Sequence, residues 1–162
     1  MARVLIVGQA PGARVHASGI PFDDPSGDRL RNWLGIDREV FYDRSKLAIV
    51  PMGFCFPGYD AKGSDLPPPK LCAEKWRSSV MGTLDQVELT LVIGQYAQAW
   101  HLGKARSKSV TETVRNWRSH IQHGLLPMPH PSWRNTAWLK KNPWFDNEVV
   151  PWLREAVGKL CS

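Results

Sequence analysis

Four short runs of apolar residues recur along the chain, and each is followed by glycine, proline or polar residues. They are RVLIV at residues 3–7, KLAIVPM at 46–52, LTLVIG at 89–94 and GLLPMP at 124–129. Continuous apolar runs are typical of parallel strands that are covered on both faces of a sheet. The prolines of the fourth run restrict it to a sheet edge or a strand end.

Segments with helical spacing of apolar residues lie between these runs. They fall at residues 26–35, 70–86, 96–103, 111–121 and from about 147 to 160. The first is expected to begin at Ser26 or Asp28, which can cap a helix, and to end at Gly35. In the second, an apolar stripe at spacing four starts with Cys72 and Trp76.

Alternation of strand and helix predicts an α/β fold, a three-layer αβα sandwich around a four-stranded, mostly parallel sheet. With 162 residues, the chain is expected to form one domain, residues 1–162. Ligands of such sheets bind at the carboxyl ends of the strands. Four unusual segments directly follow the four runs and are expected at that edge: residues 8–12, 51–57, 94–95 and 130–134.

Composition narrows the partner and the compartment. The formal net charge of +6 favours a polyanionic partner such as nucleic acid, although a merely soluble basic protein carries the same excess. Three widely spaced cysteines without a CxxC pair argue against a disulfide framework, a zinc ribbon and a four-cysteine iron–sulfur site. We find no signal-peptide core and no apolar run near the ~20 residues of a membrane span. We therefore expect a cytoplasmic monomer with no membrane association.

Two motifs carry the candidate chemistry, GQAPG at residues 8–12 and HPSWRN at residues 130–135. Taken alone, the first is a turn after a strand, in which the glycines allow close approach of a ligand and the proline stiffens the backbone. Taken alone, the second is a helix start, with Ser132 as the cap and His130 bonded to backbone.

Together, one near each end of an α/β chain, these motifs resemble those of the uracil-DNA glycosylase superfamily. The first motif of that superfamily has the form G-x-x-P-G or G-Q-D-P-Y after the first strand, and the second has the form H-P-S after the last. Between them an aromatic residue stacks on the base, and GIPFDDPSGDRL places Phe22 there. The resemblance spans roughly residues 3–140 and is strongest to the G-E-A-P-G type and to bacterial relatives.

The resemblance implies a role for each matching residue. His130 would donate a hydrogen bond to the base oxygen as negative charge develops on the base. Gln9, with the backbone from Ala10 to Gly12, would hold the attacking water and the DNA strand. The implied base-binding residues are Ala10, Gly12, Phe22, Met52 and Phe54.

The same resemblance implies a DNA-binding set, which comprises Pro11, Ser132, Trp133, Arg134 and Asn135. Ser132 would bind a phosphate at a helix start. Arg134 occupies the position from which a side chain enters the duplex and fills the vacated stack.

Three departures from the superfamily pattern concern the chemistry. Ala10 stands where the best-known members have the aspartate that orients water, an aspartate that the active G-E-A-P-G members also lack. Asp23 or Asp24 could supply the carboxylate, unless these form only a solvated turn. The segment VPMGF lacks the asparagine that reads uracil, and backbone groups of residues 52–54 are the expected substitute. No amino-terminal cysteine pair is present, so we expect neither an iron–sulfur cluster nor another cofactor or metal. His120 and His123 are expected on a helix surface.

The resemblance therefore implies a monofunctional DNA glycosylase that flips a base out of DNA and hydrolyses its N-glycosidic bond. The substrate would be uracil or another deaminated base, in base-excision repair. One alternative is a catalytically weak or inactive module that binds DNA or a nucleobase, which the missing asparagine and acid favour. Another is a hydrolase of free nucleosides or nucleotides.

Overall fold

A four-stranded sheet forms the centre of the molecule in the computed structural model, which describes residues 1–162. The strands are β1 (Val4–Val7), β2 (Leu47–Ile49), β3 (Leu89–Ile93) and β4 (Leu125–Met128). Their spatial order is β2-β1-β3-β4, and every neighbouring pair is parallel. The predicted parallel sheet is confirmed, and β4 lies at an edge, as its proline content indicated.

Ten short α-helices connect and cover the strands. They are α1 (Ala13–Ser18), α2 (Pro25–Leu34), α3 (Arg38–Tyr42), α4 (Lys70–Cys72), α5 (Ser78–Met81), α6 (Gly94–Leu102), α7 (Val110–Arg115), α8 (Trp117–Ile121), α9 (Thr136–Lys141) and α10 (Val150–Leu160). Two π-helical segments, Ala73–Arg77 and Phe145–Val149, and two 3-10 turns, Gly103–Ala105 and Trp133–Asn135, adjoin them.

The two faces of the sheet bury two separate hydrophobic clusters, which makes the fold a three-layer αβα sandwich as predicted. Along β1, Val4 and Ile6 pack into the larger cluster, with side chains of α2, α3, α7, α8 and α10. The intervening Leu5 and Val7 pack into the smaller cluster, with residues of the 70–81 segment and α6. Because both faces are covered, the strand reads as continuously apolar.

Helix α2 begins earlier than the sequence indicated. Its cap is Asp24, whose side-chain Oδ1 accepts a hydrogen bond from the Gly27 N–H at 3.0 Å. The expectation of Ser26 or Asp28 as the cap was wrong, because Pro25 occupies the first helical position, where its missing N–H costs nothing. Gly35, with φ of 68°, ends the helix as expected.

The predicted helix within residues 70–86 forms but presents a different face. Trp76 is 50% exposed, whereas Ala73 and Arg77 are buried against the sheet. The π-helical segment 73–77 changes the number of residues per turn, so a stripe drawn at ordinary helical spacing through Cys72 and Trp76 was wrong.

The predicted helix at residues 111–121 divides at Asn116 into α7 and α8. His120, expected on the surface, is instead 5% exposed. Burial lowers the pKa of His120, and the neighbouring His123 lowers it further. This histidine therefore lies in the interior of the fold and not on a charged helix face.

Candidate active site

An open cleft of about 780 Å³ lies at the carboxyl edge of the sheet. It is lined by the segments that follow β1, β2 and β4 and by part of the long loop at 54–70. Of the catalytic, base-binding and DNA-binding residues that the resemblance implies, all except Met52 line it: Gln9, Ala10, Pro11, Gly12, Phe22, Phe54, His130, Ser132, Trp133, Arg134 and Asn135.

Met52 lies behind the cleft, in the smaller core cluster, and is 5% exposed. Its N–H donates to the carbonyl of Gly8 at 2.9 Å, and the N–H of Gly53 donates to the carbonyl of Gln9 at 2.8 Å. These bonds tie the turn after β2 to the GQAPG turn. They also use two of the backbone donors that were expected to replace the asparagine, so the expectation of Met52 as a base-binding residue is corrected.

The GQAPG turn is packed tightly from behind. A Cβ atom at Gly94, the first residue of α6, would lie 3.1 Å from the Gln9 Nε2 atom, and Gly94 has a φ of 83°. A side chain is disfavoured there on both grounds. Gly94 does not line the cleft, although the sequence placed it at the same edge. It supports the site by making room for Gln9.

Phe22 forms one wall of the cleft and is the only residue other than glycine with positive φ, at 57°. Such a conformation persists only when the surroundings enforce it. A Cβ atom at Gly27 would lie 1.7 Å from the Phe22 carbonyl oxygen, so this close approach requires glycine. The ring packs against Gly8 and lies edge-on to Phe41 at 6.2 Å between centroids. The strained backbone thus fixes an aromatic ring beside the first motif.

His130 is held as a neutral imidazole. Burial lowers its pKa, an effect that the negative charges of Asp24 and Asp65 partly oppose. Its Nδ1 atom accepts a hydrogen bond from the backbone N–H of Ser132 at 3.2 Å. A neutral ring that accepts at Nδ1 carries its proton on Nε2. The Asn135 side-chain amide donates to the His130 carbonyl at 2.7 Å and fixes the backbone.

The rim beside His130 carries an exposed aromatic and cationic pair. Trp133 is 71% exposed, and the Arg134 guanidinium carbon lies 5.8 Å from the centroid of its ring. Ser132 Oγ accepts from the Arg134 N–H at 3.2 Å, which leaves its O–H available as a donor. Arg29 donates to the Ser132 carbonyl at 2.9 Å and braces the turn from α2.

Charged residues of both signs line the cleft. The cations are Arg14 and Arg134, whereas none of the lysines and arginines of the 103–118 region or of α9 lines it. Of the two acids expected from the sequence, Asp24 lines the cleft, but Asp23 lies outside the lining and pairs with Arg38 at 3.0 Å. Asp65 also lines the cleft and was not identified from the sequence, where its only signal was membership of the loop 54–70.

A buried arginine that the sequence did not reveal holds the chain after β2. Arg77 is 1% exposed and donates to the carbonyls of Val50 at 3.2 Å and Pro51 at 3.0 Å. Its Nε–H donates to His101 Nε2 at 3.1 Å. Burial lowers the pKa of Arg77 to about 10 and, with the charge of Arg77, that of His101 to about 4. Since Pro51 lines the cleft, this pair supports the cleft wall from behind.

Cysteines 55, 72 and 161 are free thiols. No three side chains of histidine, cysteine, aspartate or glutamate are grouped as metal ligands. None of the helices combines the length and the apolar character needed to cross a lipid bilayer.

The family model described as "Uracil DNA glycosylase superfamily" matches residues 1–154 of this chain. The match includes both motifs, the strained Phe22 and the whole cleft lining. It extends over most of the 162 residues and ends within α10. The chain therefore belongs to the uracil-DNA glycosylase superfamily.

Proposed function

We propose that this protein is a monofunctional DNA glycosylase that hydrolyses the N-glycosidic bond of uracil or another deaminated base in DNA, as part of base-excision repair. Membership of the superfamily supports a DNA glycosylase type of function in general. The observation that carries the proposal is His130, a neutral imidazole with its remaining donor on Nε2, at the cleft that also contains the GQAPG turn.

A neutral donor suits the charge that the reaction creates. Cleavage of the bond between base and sugar leaves negative charge on the base and positive charge on the sugar. A fixed donor that meets the base oxygen as this charge develops lowers the barrier without reorganisation. His130 is positioned for that by the hydrogen bonds from Ser132 and Asn135 to its ring and its carbonyl.

Phe22 and the rim supply the remaining parts of base recognition. The Phe22 ring gives the extruded base a flat surface, and base–aromatic stacking contributes ~1–3 kcal/mol in single-strand binding proteins. Trp133 and Arg134, exposed at the rim, fill the gap that the flipped nucleotide leaves in the duplex. A rim of this kind favours DNA over a free nucleoside as the substrate.

A second candidate function is binding of DNA or of a nucleobase without cleavage. Two observations favour it. Ala10 offers no carboxylate at the position from which other members activate water. The backbone donors of Met52 and Gly53, at the expected site of uracil reading, are bonded to Gly8 and Gln9.

A survey of labelled oligonucleotides separates these functions. Single- and double-stranded DNA carrying uracil, hypoxanthine, xanthine or a G·T mismatch is incubated with the protein, and abasic sites are then cleaved with alkali. Strand scission at the modified position is expected for at least one base. Binding without scission at any position supports the non-cleaving module. Free nucleosides are incubated in parallel, and release of base from them but not from DNA supports a hydrolase of free nucleosides or nucleotides.

We expect DNA affinity to fall steeply with salt, because phosphate contacts release bound counterions. Arg14→Ala, which removes an exposed cation of the cleft lining, should reduce the slope of log affinity against log salt by about one. Lys108→Ala removes an exposed cation that does not line the cleft and should leave the slope unchanged. Fluorescence anisotropy over a salt series measures both; an affinity that is flat across the series contradicts the DNA contact.

We expect base selection to be loose at Gly12. A Cβ atom there meets only the Asp65 Oδ2 atom, at 3.8 Å, and the backbone has an ordinary φ of −70°. Gly12→Tyr therefore adds a ring to the cleft without strain and should reduce cleavage of bulkier bases more than that of uracil. One excluded methyl corresponds to ~1–3 kcal/mol, or about 10- to 200-fold.

The control for this prediction is Gly12→Ala, which adds too little volume to reach a base. Relative single-turnover rates on each base of the survey are the measurement. If the wild-type protein acts on uracil alone and rejects every other base completely, the inference that Gly12 leaves base selection loose is contradicted.

A further inference from the structure

A short hairpin in the long loop after β2 carries a carboxylate to the cleft. The hairpin comprises residues 58–66. The Leu66 N–H donates to the Gly58 carbonyl at 2.9 Å, and Tyr59 and Asp65 form an antiparallel bridge. The side chain of Asp60 accepts from the backbone N–H groups within the hairpin at 2.8 and 2.9 Å. These hydrogen bonds fix the backbone conformation of the hairpin that carries Asp65.

The hairpin is also connected to the second motif. Arg134 Nη1 lies 3.4 Å from the Ser64 Oγ atom, next to Asp65 in the chain. The Asp65 carboxylate lies over the first motif, with Oδ2 at 3.8 Å from the position of a Cβ atom on Gly12. The negative charge of Asp65, like that of Asp24, raises the pKa of His130, against the larger lowering by burial. Asp65 thus lies beside the first motif, on a hairpin that is hydrogen-bonded to the second.

Asp65 differs from the other nearby acids in its bonding. One carboxylate oxygen of Asp24 accepts a hydrogen bond from the Gly27 N–H at 3.0 Å, as the cap of α2. Asp23 pairs with Arg38 outside the cleft lining. The side chain of Asp65 has neither an ion-pair partner nor a hydrogen-bond donor within the protein, so both of its oxygens can accept from water.

We propose that Asp65 is the catalytic carboxylate that orients and deprotonates the attacking water, in place of the aspartate that Ala10 replaces. This assignment rests on the proposed glycosylase function. The bond between the base nitrogen and C1′ breaks, and its electron pair goes to the base, whose oxygen accepts from His130 Nε2–H. The water oxygen bonds to C1′, and its proton goes to Asp65. The base anion then takes a proton from solvent, and Asp65 releases its own.

The decisive variant is Asp65→Asn, which keeps the size of the side chain and removes the base. We expect the single-turnover rate at saturating protein to fall by about 100-fold, the lower range for loss of a general base. DNA affinity should be unchanged or tighter, because a negative charge leaves the cleft. Asp85→Asn, an equal change of charge at an exposed residue before β3, should alter neither quantity.

Rescue by azide separates a catalytic role from a structural one. Azide attacks C1′ without losing a proton, so it should accelerate base release by Asp65→Ala and leave a C1′ azide detectable by mass spectrometry. Wild-type cleavage with an equal rate in Asp65→Asn overturns the assignment while the glycosylase function stands. A 100-fold loss in Asp24→Asn but not in Asp65→Asn overturns it likewise. A wild-type protein that cleaves no base refutes the glycosylase function and this assignment with it.

Discussion

Replacing His130 with alanine should lower the single-turnover rate of base release by about 100- to 1,000-fold, the cost of one oxyanion-type donor. The loss should fall on the chemical step, because the Nε2–H bond strengthens only as charge develops on the base. DNA affinity should change little. The backbone N–H of Ser132 loses its acceptor at 3.2 Å, so we also expect a modest loss of stability, about 1 kcal/mol.

The matched control is His123→Ala, which removes an exposed histidine away from the cleft. Rates are measured with protein in excess over a labelled oligonucleotide, and folding is checked by circular dichroism. Cleavage at the wild-type rate by a folded His130→Ala variant would remove this residue from the mechanism.

The free energy of unfolding should decrease by roughly 3 kcal/mol as the pH falls from about 6.5 to about 4, on account of His101 alone. Burial and the adjacent Arg77 hold the pKa of this histidine at about 4 in the folded protein, against 6.5 in its ordinary state. The unfolded chain therefore takes up a proton in that interval, and the folded chain does not. Above pH 6.5 both states are neutral at this site, and stability should be level.

Urea unfolding at pH 7, 5.5 and 4 measures the slope. Other histidines contribute, so the test is the difference between the wild type and His101→Gln, which keeps an acceptor for Arg77 but does not titrate. The variant should be less sensitive to acid, even if it is less stable at pH 7. Identical slopes in the two proteins would contradict the neutral state of His101.

The strand positions were predictable because both faces of each strand are buried, which leaves an unbroken apolar run such as Val4–Val7. In an all-parallel sheet, the segments after the strands converge at one edge, which brought the GQAPG turn and His130 to one cleft. A helix end at a glycine in the left-handed conformation, such as Gly35, could be predicted in the same way.

Features that depend on packing between distant segments were not predictable. The buried Arg77 depends on a π-helical segment and on carbonyls 26 and 27 residues away in sequence. Met52 was expected in the cleft, but hydrogen bonds between the two turns direct its side chain into the core. Asp65 lies at the cleft because of the hairpin at residues 58–66. That hairpin has no periodic pattern of apolar residues from which it could have been predicted.

Hydrolysis of a base–sugar bond in DNA can be measured by mass spectrometry of the products formed in ¹⁸O-labelled water. Oligonucleotides carrying uracil or hypoxanthine are incubated with the wild-type protein and with His130→Ala. We expect an intact strand that has lost one base and gained one ¹⁸O at C1′, an unlabelled free base, and far less of both products with the variant. The proposed hydrolysis is contradicted if the oligonucleotide stays unaltered at protein concentrations that saturate binding. That result would have to hold for both bases, in single-stranded and in double-stranded DNA.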